Sequence, residues 1–177
     1  LALTAFSGGL AWVENPYGQV GRTAGGVYAM PEAGGAARLV IDAGTGPLPL
    51  LAADATHLYF TSGTTIKRLP VGPGGQPGVV VRGVVPDGLA SDGAFVYWVS
   101  RDPLVSVVVR APVAGGTSEV VASASSPPGE CRLAIDATHV YWSDGGGTVR
   151  RVSKGGGTPV AIGQFYRVTE MASDGVR

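Results

Sequence analysis

The feature that most constrains this chain is a Gly-Gly pair that returns at Gly34-Gly35, Gly74-Gly75, Gly115-Gly116 and Gly156-Gly157, at spacings of 40, 41 and 41 residues. Self-similarity at a fixed period commits a chain to stacked supersecondary units, because each unit buries its apolar face only against its neighbours. Three further landmarks keep a constant order around the pair. An apolar run closing on Asp or Thr ends at Thr4, Asp54, Asp92, Asp136 and Asp174. An aromatic-rich run follows at Leu10–Val13, His57–Phe60, Phe95–Trp98 and His139–Trp142, so that Phe60, Trp98 and Trp142 stand six residues beyond their Asp. An apolar–x–(Arg/Ala)–x–Pro-like run comes third, at Val27–Pro31, Ile66–Pro70, Val108–Pro112 and Val149–Ser153. After each Gly-Gly pair stands a β-prone run: Arg38–Ile41, Val79–Val81, Glu119–Val121 and Pro159–Ile162.

Each unit thus holds four short runs of Val, Ile, Leu, Tyr and Trp, which fit a pleated, half-buried surface, separated by residues that supply turn geometry. The Gly-Gly pair suits a hairpin whose turn needs positive φ. Asp54-Ala55-Thr56 and Asp136-Ala137-Thr138 suit turns in which the Asp side chain caps backbone amides. No segment sustains a 3.6-residue period, so no helix is predicted. Tandem four-stranded units of this length are the signature of an all-β β-propeller built of antiparallel blades. The first run, with small Ala52, Ala90, Ala134 and Ala172, is predicted to be the innermost strand. A sandwich is the competing all-β reading, but nothing in a sandwich requires four landmarks in fixed order.

The blades run approximately 1–47, 48–85, 86–129 and 130–167, and residues 168–177 supply only the inner strand of a fifth. A closed ring of four has no place for that strand, which points to a single, partial propeller domain within a six- or seven-bladed ring. Missing sequence or another copy of the chain would complete it, since a free terminal strand is an aggregation hazard.

Composition removes several function classes. With 13 basic and 13 acidic residues the net charge is zero, unlike the basic footprint of a nucleic-acid binder. There is no polybasic or amphipathic stretch for a membrane surface, and no apolar run near the roughly 20 residues a spanning helix needs. Glycine and proline, 29 and 13 of 177 residues, would suggest low complexity if they had no period. Cys131 is the only cysteine, which excludes an internal disulfide and a multi-cysteine metal site. Arginine outnumbers lysine 11 to 2, a bias of GC-rich genomes. The chain opens at Leu1 without Met, which reads as a processed, trimmed or truncated product.

The stretch Leu133–Ile162, LAIDATHVYWSDGGGTVRRVSKGGGTPVAI, resembles the repeat of YWTD and NHL-type propellers. Those families carry an apolar-Ala-x-Asp inner strand, a Tyr-Trp-x-Asp second strand, a Gly-x-Val-x-Arg-Val run and a Gly-Gly hairpin. The chain is most similar to tandem repeat propellers of secreted and lipid-anchored proteins of myxobacteria and similar bacteria. Only the fourth unit carries the full Tyr141-Trp142-Ser143-Asp144 signature; the second has Tyr59-Phe60-Thr61-Ser62 and the third Tyr97-Trp98-Val99-Ser100. The resemblance implies that Asp144 is structural, bracing neighbouring blades. It implies no single activity, because propellers host binding, scaffolding and catalysis alike.

His57 and His139 occupy one repeat position and invite a paired metal site, but the third unit places Phe95 there, so the position reads as packing beside a turn. Arg68, Arg110 and Arg151 share a position that would make a guanidinium ring for an anionic ligand; local pairing with a carboxylate or an aromatic face is the preferred reading. Cys131 reads as packing. Function is expected where inner strands begin and their preceding loops open on the axial mouth. The candidate ligand-binding residues there are Arg82, Asp87, Glu130, Arg132, Tyr166, Arg167 and Glu170, joined by Arg101 and Asp102 from the loop Ser100–Ser106 and by the long loop Glu14–Gly26. No catalytic residue, cofactor or metal ligand set is assigned. Lactonase-type propellers hold an axial calcium through Glu, Asn and Asp, and the only Asn here is Asn15.

The expected function is a non-catalytic binding or assembly module of the bacterial envelope or extracellular space. It would recognise a protein or a glycan through the axial face and loops, or another copy of itself, with no nucleic-acid partner. One alternative is a propeller hydrolase, lactonase or lyase whose axial metal site is completed by missing blades. Another is a structural subunit that completes a ring or filament by self-association.

Overall fold

A computed structural model describes residues 3–14, 25–44, 48–71, 75–102, 104–127 and 129–173. Blade 1 comprises β1 (Leu3–Phe6), β2 (Gly9–Glu14), β3 (Gly25–Pro31) and β4 (Arg38–Gly44). Blade 2 comprises β5 (Leu51–Ala53), β6 (His57–Ser62), β7 (Thr65–Pro70) and β8 (Gly78–Arg82). Blade 3 holds β9 (Pro86–Ser91), β10 (Phe95–Asp102), β11 (Val105–Pro112) and β12 (Glu119–Ser125), and blade 4 holds β13 (Arg132–Ile135), β14 (His139–Ser143), β15 (Thr148–Ser153) and β16 (Val160–Gln164). Each blade is a four-stranded antiparallel meander in sequence order. Among the described residues there is no helix, hence none long and apolar enough to cross a membrane.

The first strands of successive blades lie side by side, β1 against β5, β5 against β9 and β9 against β13, while outer strands diverge. The blades therefore fan around a common axis with the first run innermost, as expected of a propeller rather than a sandwich. Blades face one another in a fixed sense. Leu89, Val96 and Trp98 of blade 3 point back onto Ala52, Tyr59, Ile66 and Val80 of blade 2. Leu133, Val140, Trp142 and Val152 of blade 4 point back onto Tyr97, Val99, Val108 and Val121 of blade 3. Period-two alternation makes this possible: neighbouring Tyr97 and Trp98 bury on opposite faces of one sheet. Cys131 is fully buried within the blade 3–blade 4 core.

Turn chemistry is repeated as the separators require. Gly34-Gly35, Gly115-Gly116 and Gly156-Gly157 adopt φ of 84° and 126°, 91° and 136°, and 92° and 126°, values forbidding to side chains with a Cβ. In each case the first glycine's N–H donates to the carbonyl three residues earlier, Pro31, Pro112 or Ser153. A β-bulge interrupts every pairing of third and fourth strands, adding to blade twist.

Register corrects one alignment. Ala52 faces Tyr59, Ala90 faces Tyr97, Ala134 faces Tyr141, and in blade 1 it is Thr4 that faces Ala11. Thr4 therefore sits at the repeat's alanine position, and the position expected for the repeat Asp in unit 1 falls two residues later, on Phe6. The sequence ending on Thr4 imitates the motif, but Thr4 does not share the register of the repeat Asp. A second correction concerns Arg101 and Asp102, expected in a loop. They continue β10 and pair with Ser106 and Val105, because the Val-rich run of β11 extends the hairpin.

Trp142 is fully buried and its indole Nε1 donates to Ser106 Oγ of blade 3 at 3.0 Å. Trp12, the equivalent residue of blade 1, is half-buried and stacks on Tyr28. In urea unfolding, Trp142→Ala is expected to cost about 3–5 kcal/mol and Trp12→Ala clearly less. Equal costs would contradict the backward packing of the second-strand aromatic.

Candidate functional site

Two sets of polar residues stand out, one between blades and one at the axis. The first begins with the Asp that closes the inner strand of blades 2, 3 and 4. Asp54 Oδ1 accepts the Thr56 and His57 amides at 2.7 and 2.9 Å, and Asp136 Oδ1 accepts those of Thr138 and His139 at 2.6 and 2.7 Å. Asp92 Oδ1 does the same for Ala94 and Phe95 at 3.1 and 2.8 Å. For Asp54 and Asp136 this is the predicted capped turn, and Asp92 forms the same one. The second carboxylate oxygen accepts a tyrosine hydroxyl from the next strand: Tyr59 to Asp54 at 2.5 Å, Tyr97 to Asp92 at 3.0 Å and Tyr141 to Asp136 at 2.6 Å. The same oxygens reach the following blade, where Ser91 Oγ donates to Asp54 at 3.1 Å and Lys154 Nζ to Asp92 at 2.9 Å.

Opposite each tyrosine on the third strand stands the repeat arginine. Arg68 Nη1 donates to the Val113 carbonyl at 2.6 Å and Arg110 Nη1 to the Lys154 carbonyl at 2.7 Å, each two residues before the next blade's Gly-Gly pair. Arg110 also bonds Glu119 at 2.5 Å and covers the Phe95 ring at 4.4 Å, the local pairing expected for this position. The arginines thus clasp blade to blade. Blade 1 lacks the whole set: Phe6, Ala11 and Ala29 replace Asp, Tyr and Arg, and pack with Leu58 in an apolar joint. His57 and His139 each place Nδ1 beside the preceding threonine hydroxyl, at 2.8 and 2.7 Å, with the ring tilted against Tyr59 or Tyr141, a packing role beside the turn. Asp144 caps the β14–β15 turn through Gly146 and Thr148 and pairs with Arg150 at 3.3 Å, and Arg150 reaches the Ser125 carbonyl of blade 3. Its bracing role is therefore indirect.

Burial opposes the charged form of Asp54 and Asp92, but donors outweigh it: Tyr59 leads for Asp54 and Lys154 for Asp92, and both carboxyls are held below their ordinary range. The Tyr141 hydrogen bond is the largest influence on Asp136 and lowers it as well. Burial, followed by the Asp92 charge, pushes Tyr97 up to about 12. Carboxylates that ionise more readily folded than unfolded contribute stability above the ordinary carboxylate pKa of about 4, and lose it as pH falls through the lowered folded values. Urea midpoints are therefore expected to drop below pH about 4, with Asp54→Asn or Asp92→Asn flattening that acid limb. An unchanged limb in both variants would contradict the assignment.

The second set lines a cavity of about 630 Å³ where the inner strands converge. Its walls come from every blade, including Val13, Leu50, Thr61, Gly88 and Leu133, and from Thr169, Glu170 and Met171. These three lie in the stretch 168–177 expected as a fifth inner strand but form no strand among the described residues, because no second strand follows to pair with them. Of the predicted binding residues, the structure brings Asp87, Glu130, Arg132 and Glu170 together here. Glu130 Oε2 pairs with Arg132 at 2.8 Å and lies 3.7 Å from Arg167, while Arg132 Nε donates to the Thr169 carbonyl at 2.9 Å. Tyr166 projects fully into solvent. Arg82 ends β8, the outermost strand of its blade, and is exposed. Arg101 and Asp102 end β10, and residues 15–24 of the long loop Glu14–Gly26 lie outside the described residues. Leu48–Leu51 and Thr61 line the cavity without having been singled out, since small apolar and hydroxyl residues carry no distinct signal. Among the described residues no three of His, Cys, Asp and Glu gather as a metal-ligand group.

No family model matches the chain, and no curated protein matches it in sequence. Solved structures do match in fold. A chain of the nidogen/laminin complex superposes with a TM-score of 0.78 at 16% identity, over 98% of this chain and 68% of that one. Glutaminyl cyclase of Myxococcus xanthus matches with a TM-score of 0.52 at 15% identity, over 88% of this chain and 66% of the enzyme. A structural genomics protein of unknown function from Bacteroides thetaiotaomicron matches at 0.55 and 16%, over 88% of this chain and 43% of that protein. At these identities the likeness establishes the β-propeller fold.

Proposed function

We propose that the chain is an arc of a larger propeller ring whose axial mouth binds a protein partner without turning it over. The observation that carries this reading is the cavity at the convergence of the inner strands, walled by Asp87, Glu130, Arg132 and Glu170. Side chains at strand ends on a rigid scaffold are where recognition residues concentrate, and a concave site with few polar groups orients what enters it. The likeness to a chain solved within a protein–protein complex supports a protein ligand. Four blades that span 68% of that chain accord with a ring of about six. A setting in the envelope or outside the cell goes with this reading, on the strength of the repeat's resemblance to secreted and lipid-anchored propellers.

Selection of a displayed peptide library against the chain tests the assignment, with the triple variant Asp87→Asn, Glu130→Gln, Glu170→Gln as counter-target. Selected peptides are expected to bind the chain in a salt-dependent manner and to lose about tenfold or more in affinity for the variant. A glycan array run in parallel is expected to stay blank. Peptides that bind both chains equally would place recognition elsewhere on the propeller.

A further inference from the structure

Blades 2 and 3 direct the same group of residues toward their successors, and blade 4 directs that group at no described blade. In blades 2 and 3 the tyrosine is buried, Tyr59 at 0% and Tyr97 at 1%, whereas Tyr141 is only half-buried. Arg68 and Arg110 hold carbonyls of the following blade, whereas Arg151 is exposed. The bulge residue of the outer strand makes the contrast sharpest. Val80 of β8 and Val121 of β12 are 4% and 7% exposed, yet Ile162 at the same place in β16 is 50% exposed. Apolar residues of the next blade bury Val80 and Val121, and that blade's glycine hairpin passes beside their carbonyls. A Cβ on Gly115 would stand 3.6 Å from the Val80 carbonyl, and one on Gly156 would stand 3.2 Å from the Val121 carbonyl.

We infer that the face formed by Tyr141, Arg151 and Ile162 is a docking surface for a fifth blade of this same repeat, continuous with residues 169–173. The inference rests on the larger-ring reading and gives that joint its chemistry. The incoming blade lays a Gly-Gly hairpin beside Ile162 and presents to Arg151 the carbonyl two residues before that pair. Ser173 takes in the repeat the place of Ser91, whose hydroxyl bonds the preceding blade's aspartate, so Asp136 is its counterpart. The polypeptide itself is the source of this blade. Thr169 already lies against Arg132 of β13, in the innermost place that a second copy's β1 would need in order to dock blade 1 here.

Arginine modification by a dicarbonyl reagent, read by peptide mass mapping on the folded 177-residue chain, tests the inference. Arg151 is expected to react about tenfold or more faster than Arg68 and Arg110. A second chain carries a copy of residues 137–167 directly after Asp174, which supplies the missing strands, with Arg151→Lys in the copy alone so that mass mapping reports the original Arg151. There Arg151 is expected to slow to the rate of Arg68, and Arg151→Ala to lower the Tm of this longer chain but not of the original. Equal rates in the original chain overturn the inference, as does an Arg151 rate that rises on dilution, which would assign the face to a second copy. A folded longer chain with Arg151 still fast overturns it too, while peptide binding at the axial mouth stands or falls separately. If the longer chain does not fold, Val121→Glu and Ile162→Glu in the original chain decide. Loss of folding in the first alone upholds the inference, and equal effects refute it.

Discussion

The carboxylate that ends the inner strand of blades 2, 3 and 4 is the interaction on which the remaining architecture depends. One oxygen of Asp54, Asp92 or Asp136 closes the turn into the second strand, and the other takes a tyrosine hydroxyl from that strand. A single side chain thereby satisfies backbone amides that would otherwise be unpaired beside the core. It also positions a tyrosine ring on the forward face of its blade. That ring, with the arginine opposite, prepares the surface onto which the next blade packs.

The joints between blades combine this polar clasp with apolar contact, in unequal proportions. Between blades 2 and 3 and between blades 3 and 4, an arginine reaches a carbonyl next to a glycine hairpin while a tryptophan packs in the opposite sense. The joint between blades 1 and 2 dispenses with the clasp altogether, and Phe6, Ala11 and Ala29 stand there as a group in place of Asp, Tyr and Arg. The coordinated change has a physical reason: an arginine or aspartate left without its partners at a closed joint would be costly, whereas small apolar residues close the gap without any. Energy spread over neighbouring interfaces is what repeat architectures rely on.

Much of this was legible in the residues themselves. Glycine pairs at a constant interval announced hairpins, and Asp-Ala-Thr announced capped turns, because both depend on local backbone geometry. The alanines of the first run marked the crowded inner edge. Candidate residues were legible only in part: Asp87, Glu130, Arg132 and Glu170 share one cavity, but Arg82 is separated from it by the width of its blade, since it closes the outer strand rather than opening the inner one. The start of the chain misled, because Leu1–Thr4 has the composition of the motif and only strand pairing shows that Phe6 holds the Asp position.

By itself the sequence determined the unit, its four strands, the order in which they follow one another and the places where the backbone must turn. Those properties follow from side-chain periodicity and from φ preferences, which act within a few residues. Only the tertiary structure decided which face of each blade looks forward, which carbonyl each arginine holds, and that Ile162 lies bare where Val80 and Val121 are covered. A backbone carbonyl has the same identity in every residue, so no residue type signals that it will be an arginine's partner. Burial belongs to the neighbouring blade as much as to the residue, and it exists only once the blades have come together.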